Sequence, residues 1–173
     1  EPERTDRPIS PATFNREWSL LRAVLNWGEQ TDRIDRNPIK RRAVRMLPTT
    51  PRQVFFEPEE WRAFLTAAEE DDDLAATVPF WRALLLTGSR ISEVSSLRWR
   101  DVELDQLRKY VRLFMGKTRK PKALPIRPAL EWILRAQAKA EERTPEALVF
   151  GGSTAYFSTC FKRILRRAPG PYA

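Results

Sequence analysis

Arg90 and Glu93 stand three residues apart in the segment Thr87-Gly88-Ser89-Arg90-Ile91-Ser92-Glu93. The segment follows an apolar run (Phe80, Trp81, Ala83, Leu84, Leu85, Leu86) and precedes Val94, Leu97 and Trp99. A guanidinium can grip a phosphate through two parallel hydrogen bonds. Gly88 suits the left-handed residue that ends one helix, and Ser89 suits the cap of the next. Arg90 then falls near a helix N-terminus, where backbone N–H groups favour an anion. Glu93 shares a helical face with Arg90 and either fixes its rotamer or bonds the ligand. Alone, the pair also has the form of a solvated surface ion pair.

A second set of cations follows. From Tyr110 onward, Val111, Leu113 and Met115 alternate with Arg112 and Phe114, the period of a half-buried strand. Residues 116–121 read as a polar turn, and Lys122 to Ile126 runs back as a second strand. The pattern predicts a β-hairpin tipped with Lys117, Arg119 and Lys120.

These pieces, in this order, resemble the tyrosine recombinases, or phage integrases. The resemblance rests on the Thr87-Gly88-Ser89-Arg90 helix start with Glu93, then Leu97-Arg98-Trp99-Arg100-Asp101-Val102, then Gly116-Lys117-Thr118-Arg119-Lys120 closing on Leu124-Pro125-Ile126. Upstream, the helix opening at Ser10-Pro11-Ala12-Thr13-Phe14 and running toward Asn37-Pro38 is similar to the last helix of the family's core-binding domain. Phe56-Glu57-Pro58-Glu59-Glu60-Trp61 resembles the first helix of the catalytic domain, with Glu57 where the family often has a stronger cap. The resemblance implies two parts: residues 1–47, the end of a helical core-binding domain with its linker, and residues 48–173, the first half of a catalytic domain. The implied fold class is mainly α with a small antiparallel β-sheet (α+β).

The same resemblance implies chemistry. Arg90 would stabilise charge on the non-bridging oxygens of a five-coordinate phosphorus, a role that often dominates such catalysis. Lys117 would protonate the departing 5′ oxygen, and Glu93 would support Arg90. No cofactor and no metal are expected. The implied partner is double-stranded DNA, with a tetramer on DNA for a full-length protein, in the cytoplasm beside the nucleoid of a prokaryote or phage host. DNA contacts are expected from Lys40, Arg41, Arg42 and Arg45 in the linker, Ser89, Arg119 and Lys120 at the site, and Lys162 and Arg163 on the last helix. For the basic segments a solvated face is the competing reading. These residues contain no histidine, so the family's His-x-x-Arg box is not among them. Tyr110 and Tyr156 read as packing residues, and Tyr172 precedes any such box, so no nucleophile is assigned. The expectation is a DNA-binding piece of a recombinase, inactive by itself. A non-catalytic relic or regulator derived from an integrase is the alternative. A helix-turn-helix protein is disfavoured, because Ile91, Val94 and Leu97 suit packing rather than base reading.

Bulk properties agree with a polyanion partner. The 173 residues carry 31 Lys+Arg against 23 Asp+Glu, a net charge of +8. The one cysteine, Cys160, lies between Phe157, Phe161 and Ile164 and reads as a small core residue. Helical stripes are expected at Phe14, Trp18, Leu21 and Leu25, where an exposed apolar patch should remain. Others are expected over 58–70, 74–87 (with Pro79 as a kink), 128–142 and 153–168. The tryptophans mostly read as core. The triplet Asp71-Asp72-Asp73 suits a helix start rather than a metal site, since neighbouring side chains diverge.

Overall fold

The computed structural model describes residues 8–39, 45–50, 55–114, 121–140 and 144–168. The chain divides into two compact units, Glu1–Val54 and Phe55–Ala173. The first is built on α1 (Pro11–Gln30), whose cap Ser10 accepts from the Thr13 N–H at 3.2 Å and whose first residue is proline. The helix ends at Gln30, earlier than Asn37-Pro38 would have ended it. Asp32 takes a positive φ of 52° there, and the N–H groups of Arg33 and Ile34 return to the Gly28 carbonyl. Asn37 then donates to the Asn26 side chain at 2.6 Å. Asn15 exchanges two hydrogen bonds with the Leu47 backbone (2.8 and 2.9 Å), which straps residues 45–50 to α1. Leu20, Leu21, Val24 and Trp27 are exposed within this unit, so an apolar patch remains, but of the expected stripe only Leu21 belongs to it; Phe14, Trp18 and Leu25 are half-buried.

The second unit is mainly α with a small antiparallel sheet. Its helices are α2 (Pro58–Glu69), α3 (Asp72–Ala75), α4 (Val78–Thr87), α5 (Ile91–Ser95), α6 (Pro128–Ala140) and α7 (Thr154–Leu165). Between α5 and α6 lie a short 3-10 turn (Trp99–Asp101) and three strands, β1 (Val102–Glu103), β2 (Tyr110–Phe114) and β3 (Pro121–Pro125), in the order β1-β2-β3. The alternation in β2 appears as predicted: Val111 and Leu113 are buried, Arg112 and Phe114 exposed. The single helix expected over 74–87 is instead two. Pro79 does not kink it but sits in the first turn of α4, where a missing N–H costs nothing.

An aromatic core joins α2, α4 and α7. Phe64, Phe80, Trp81 and Phe157 are almost fully buried, and each contributes roughly 2–3 kcal/mol by leaving water. Phe80 and Phe157 stack with ring centres 3.5 Å apart. The buried Trp81 indole donates to Thr77 Oγ1 at 2.8 Å, and that hydroxyl donates to the Leu74 carbonyl at 2.6 Å. Cys160 is buried as expected. Trp132 departs from the core reading: it is largely exposed, at 68%. Lys109 reaches across to α6 and donates to both Glu131 oxygens, at 2.7 and 2.9 Å. Among the described residues, no helix is long and apolar enough to cross a membrane.

Candidate nucleic-acid interface

Gly88 ends α4 with a φ of 58°, as its type predicts. The cap of α5 is not Ser89, however, but Arg90. Ser89 lies one residue too early, and its hydroxyl turns back to the Thr87 carbonyl at 3.4 Å. Glu93 does the capping: its Oε2 accepts from the Arg90 backbone N–H at 3.2 Å. Its Oε1 accepts from Arg90 Nη1 at 2.8 Å. One backbone donor of the expected anion seat, the Arg90 N–H, is therefore already taken by a side chain of this protein. The helix is also only five residues long, too short to sum many peptide dipoles.

The pair is more than a solvated surface bridge. The Glu93 side chain is 6% exposed, whereas the Arg90 side chain is 69% exposed. The hydrogen bond from the Arg90 guanidinium holds the Glu93 carboxyl below its ordinary value, against the opposing effect of burial. The Arg90 backbone N–H, the Arg90 charge and the charge of Lys122 act in the same direction. A buried anion thus pins one edge of a guanidinium whose remaining donors face solvent. Beside this turn, a cleft of about 260 Å³ is lined by Leu86, Thr87, Leu124, Pro125, Arg127 and Leu130. More apolar hollows lie elsewhere, around Trp132 and Ile133 on α6, and none of the predicted site residues lines them.

The other predicted residues separate into three groups. Lys40, Arg41, Arg42, Lys117, Arg119 and Lys120 lie outside the described residues. Arg45 and Lys162 are exposed. Arg163 is engaged within the fold: its Nη2 donates to Asp71 Oδ2 and to Asp73 Oδ2, both at 2.9 Å. Arg167 donates to the same Asp71 carboxylate. Asp71 also caps α3 by accepting from the Asp73 N–H at 3.0 Å. Sequence reasoning missed this cluster, because its partners lie some ninety residues away along the chain. It also missed Lys122, whose strand position was read but whose neighbour Glu93 was not.

Residues 54–168 match the phage integrase family, and the chain belongs to that family, the tyrosine recombinases. Among individual proteins, it is similar to the ICEBs1 integrase of Bacillus subtilis (strain 168), 28% identical over 96 residues that cover 55% of this chain and 25% of the relative. The fold is similar to that of the Tn1549 transposon integrase in complex with circular intermediate DNA (TM-score 0.68, 18% identity, 91% of this chain and 58% of the other). It is also similar to a lambda integrase tetramer bound to a Holliday junction (TM-score 0.64, 19% identity, 92% and 44%). The chain therefore spans a quarter of the curated relative's length and about half of each solved chain.

Proposed function

We propose that these residues form a DNA-binding part of a site-specific recombinase, one that breaks and rejoins DNA through a 3′-phosphotyrosine. In this reading Arg90 stabilises the charge that builds on the scissile phosphate. Glu93 keeps its guanidinium aimed, and Lys117 gives a proton to the 5′ leaving oxygen. The observation that carries the reading is the exposed Arg90 guanidinium held at one edge by a buried carboxylate. Such preorganisation lets a cation act without reorganising during the reaction. Arg45 and Lys162 join as contacts to the DNA backbone. Arg163 is better spent on Asp71. The solved relatives in complex with DNA, one of them a tetramer on a Holliday junction, support a DNA partner and tetrameric action for the whole protein; we place that action in the cytoplasm, beside the nucleoid. These 173 residues hold no histidine, and we propose that they do not cleave a strand unaided.

The test is binding to a duplex over a range of salt concentrations, with a nicked substrate as the cleavage assay. Affinity should fall steeply, with a log–log slope of roughly −0.9 per phosphate neutralised, and no covalent adduct should form. Binding that ignores salt would sink the reading.

A further inference from the structure

The register of the sheet places one more cation beside Arg90. Lys122 on β3 pairs with Leu113 on β2, and Leu124 pairs with Val111. Directly opposed residues of an antiparallel pair project from the same face. Lys122 thus shares the face of Val111 and Leu113, which are 1% exposed, and of the half-buried Leu124. That is the core side of the sheet, and β2 packs there against α5. Lys122 occupies the solvent rim of that face. Arg112 lies on the opposite face, its guanidinium 5.5 Å from the Tyr110 ring centre, and cannot serve the same purpose. Lys122 makes no ion pair with a described residue, and its charge is the least of the influences, after those of Arg90, that hold the buried Glu93 carboxyl below its ordinary value. The register and the packing of β2 on α5 put Lys122 on the side of the sheet that faces the Arg90–Glu93 helix.

Resting on the recombinase reading, we propose that Lys122 is a further phosphate ligand of this site. Its ammonium and the Arg90 guanidinium take hold of one DNA phosphodiester from two sides. Two cations brought together repel, and the buried Glu93 carboxylate, bonded to Arg90, offsets that repulsion. The trio carries a net charge of one positive unit, the complement of a single phosphodiester. A long, flexible lysine at the rim can follow the phosphate, while the arginine, held by Glu93, fixes its position.

The experiment uses this chain, a random-sequence duplex and four proteins: the parent, Lys122→Gln, Arg90→Gln and the double variant. If both cations share one phosphate, each single variant lowers the salt slope by a fraction of one contact. The double variant then lowers it by roughly 0.9 in total. Lys122→Arg should restore the parent slope. A double variant that loses about 1.8 means two separate phosphates, and an unchanged Lys122→Gln means a solvated lysine; either overturns the proposal while the recombinase reading stands. An Arg90→Gln slope equal to the parent's removes the reading itself, and the proposal with it. A second measurement needs no DNA. The Glu93 carboxyl, followed by carbon-13 resonance, should titrate at higher pH in Lys122→Gln than in the parent. An unmoved titration places the ammonium elsewhere and overturns the proposal.

Discussion

Asp71 and Glu93 are both buried carboxylates, 6% and 5% exposed, and both bind arginine, but they treat it differently. Asp71 draws on distant chain: Arg163 comes from the last turn of α7 and Arg167 from just beyond it, and the Asp73 N–H completes the set. Its guanidinium partners stay about half exposed, at 44% and 51%, but both are tied to the one carboxylate and serve the architecture. Glu93 binds a neighbour three residues away and takes up only one edge of it, leaving Arg90 largely in solvent. A carboxylate saturated from several sides locks a fold, whereas one that grips a single exposed cation presents that cation to a partner. The contrast separates the arginines of a basic surface into those already employed and those still available, which net charge cannot do.

The largest effect should come from breaking the cluster on Asp71. Asp71→Ala removes the α3 cap and the anchor of two guanidinium groups, and should cost about 2–3 kcal/mol of stability, softened because both arginines can rehydrate. Urea unfolding measures this, and a loss under about 0.5 kcal/mol would place Asp71 on the same footing as an ordinary surface pair.

Glu93 gives a smaller effect with a distinctive pH dependence. Its folded pKa lies below the ordinary carboxylate value, so its stabilising contribution is fully present above the unfolded value of about 4.3. The contribution is lost as pH falls through the folded pKa. The stability difference between the parent and Glu93→Gln should therefore be largest near neutrality and shrink below about pH 4. Urea midpoints at several pH values check this; a difference that grows on acidification has the wrong sign.

The smallest effect concerns the turn that delivers Arg90. Gly88→Ala should cost about 1 kcal/mol from the positive φ alone, since no atom lies within 4 Å of the added methyl. A thermal melt measures it, and a neutral substitution would show that the turn adapts freely.

Local chemistry made much of this readable in the sequence. Gly88 ends α4, the β2 residues alternate, and Phe157, Phe161 and Ile164 face inward on α7, because periodicity and backbone freedom are properties of neighbouring residues. Arg90 and Glu93 were readable as a pair for the same reason. What failed required competition or distance. Ser89 is a better capping type than Arg90, but the helix begins one residue later than a Ser89 cap requires, and Glu93 bonds the Arg90 N–H instead. Pro79 could bend a helix or begin one, and only packing decides. The partners of Asp71 and the nearness of Lys122 to Glu93 are products of tertiary structure, invisible to any short window.

Helix α7 is fastened at both ends. Near its start, the Thr154 hydroxyl meets the Ser95 hydroxyl on α5 at 2.8 Å; near its finish, Arg163 and Arg167 meet Asp71. A rod tied at two points cannot roll about its axis or slip by a turn without undoing one tie. The two ties set the axial position of α7 between the segment bearing Arg90 and the start of α3.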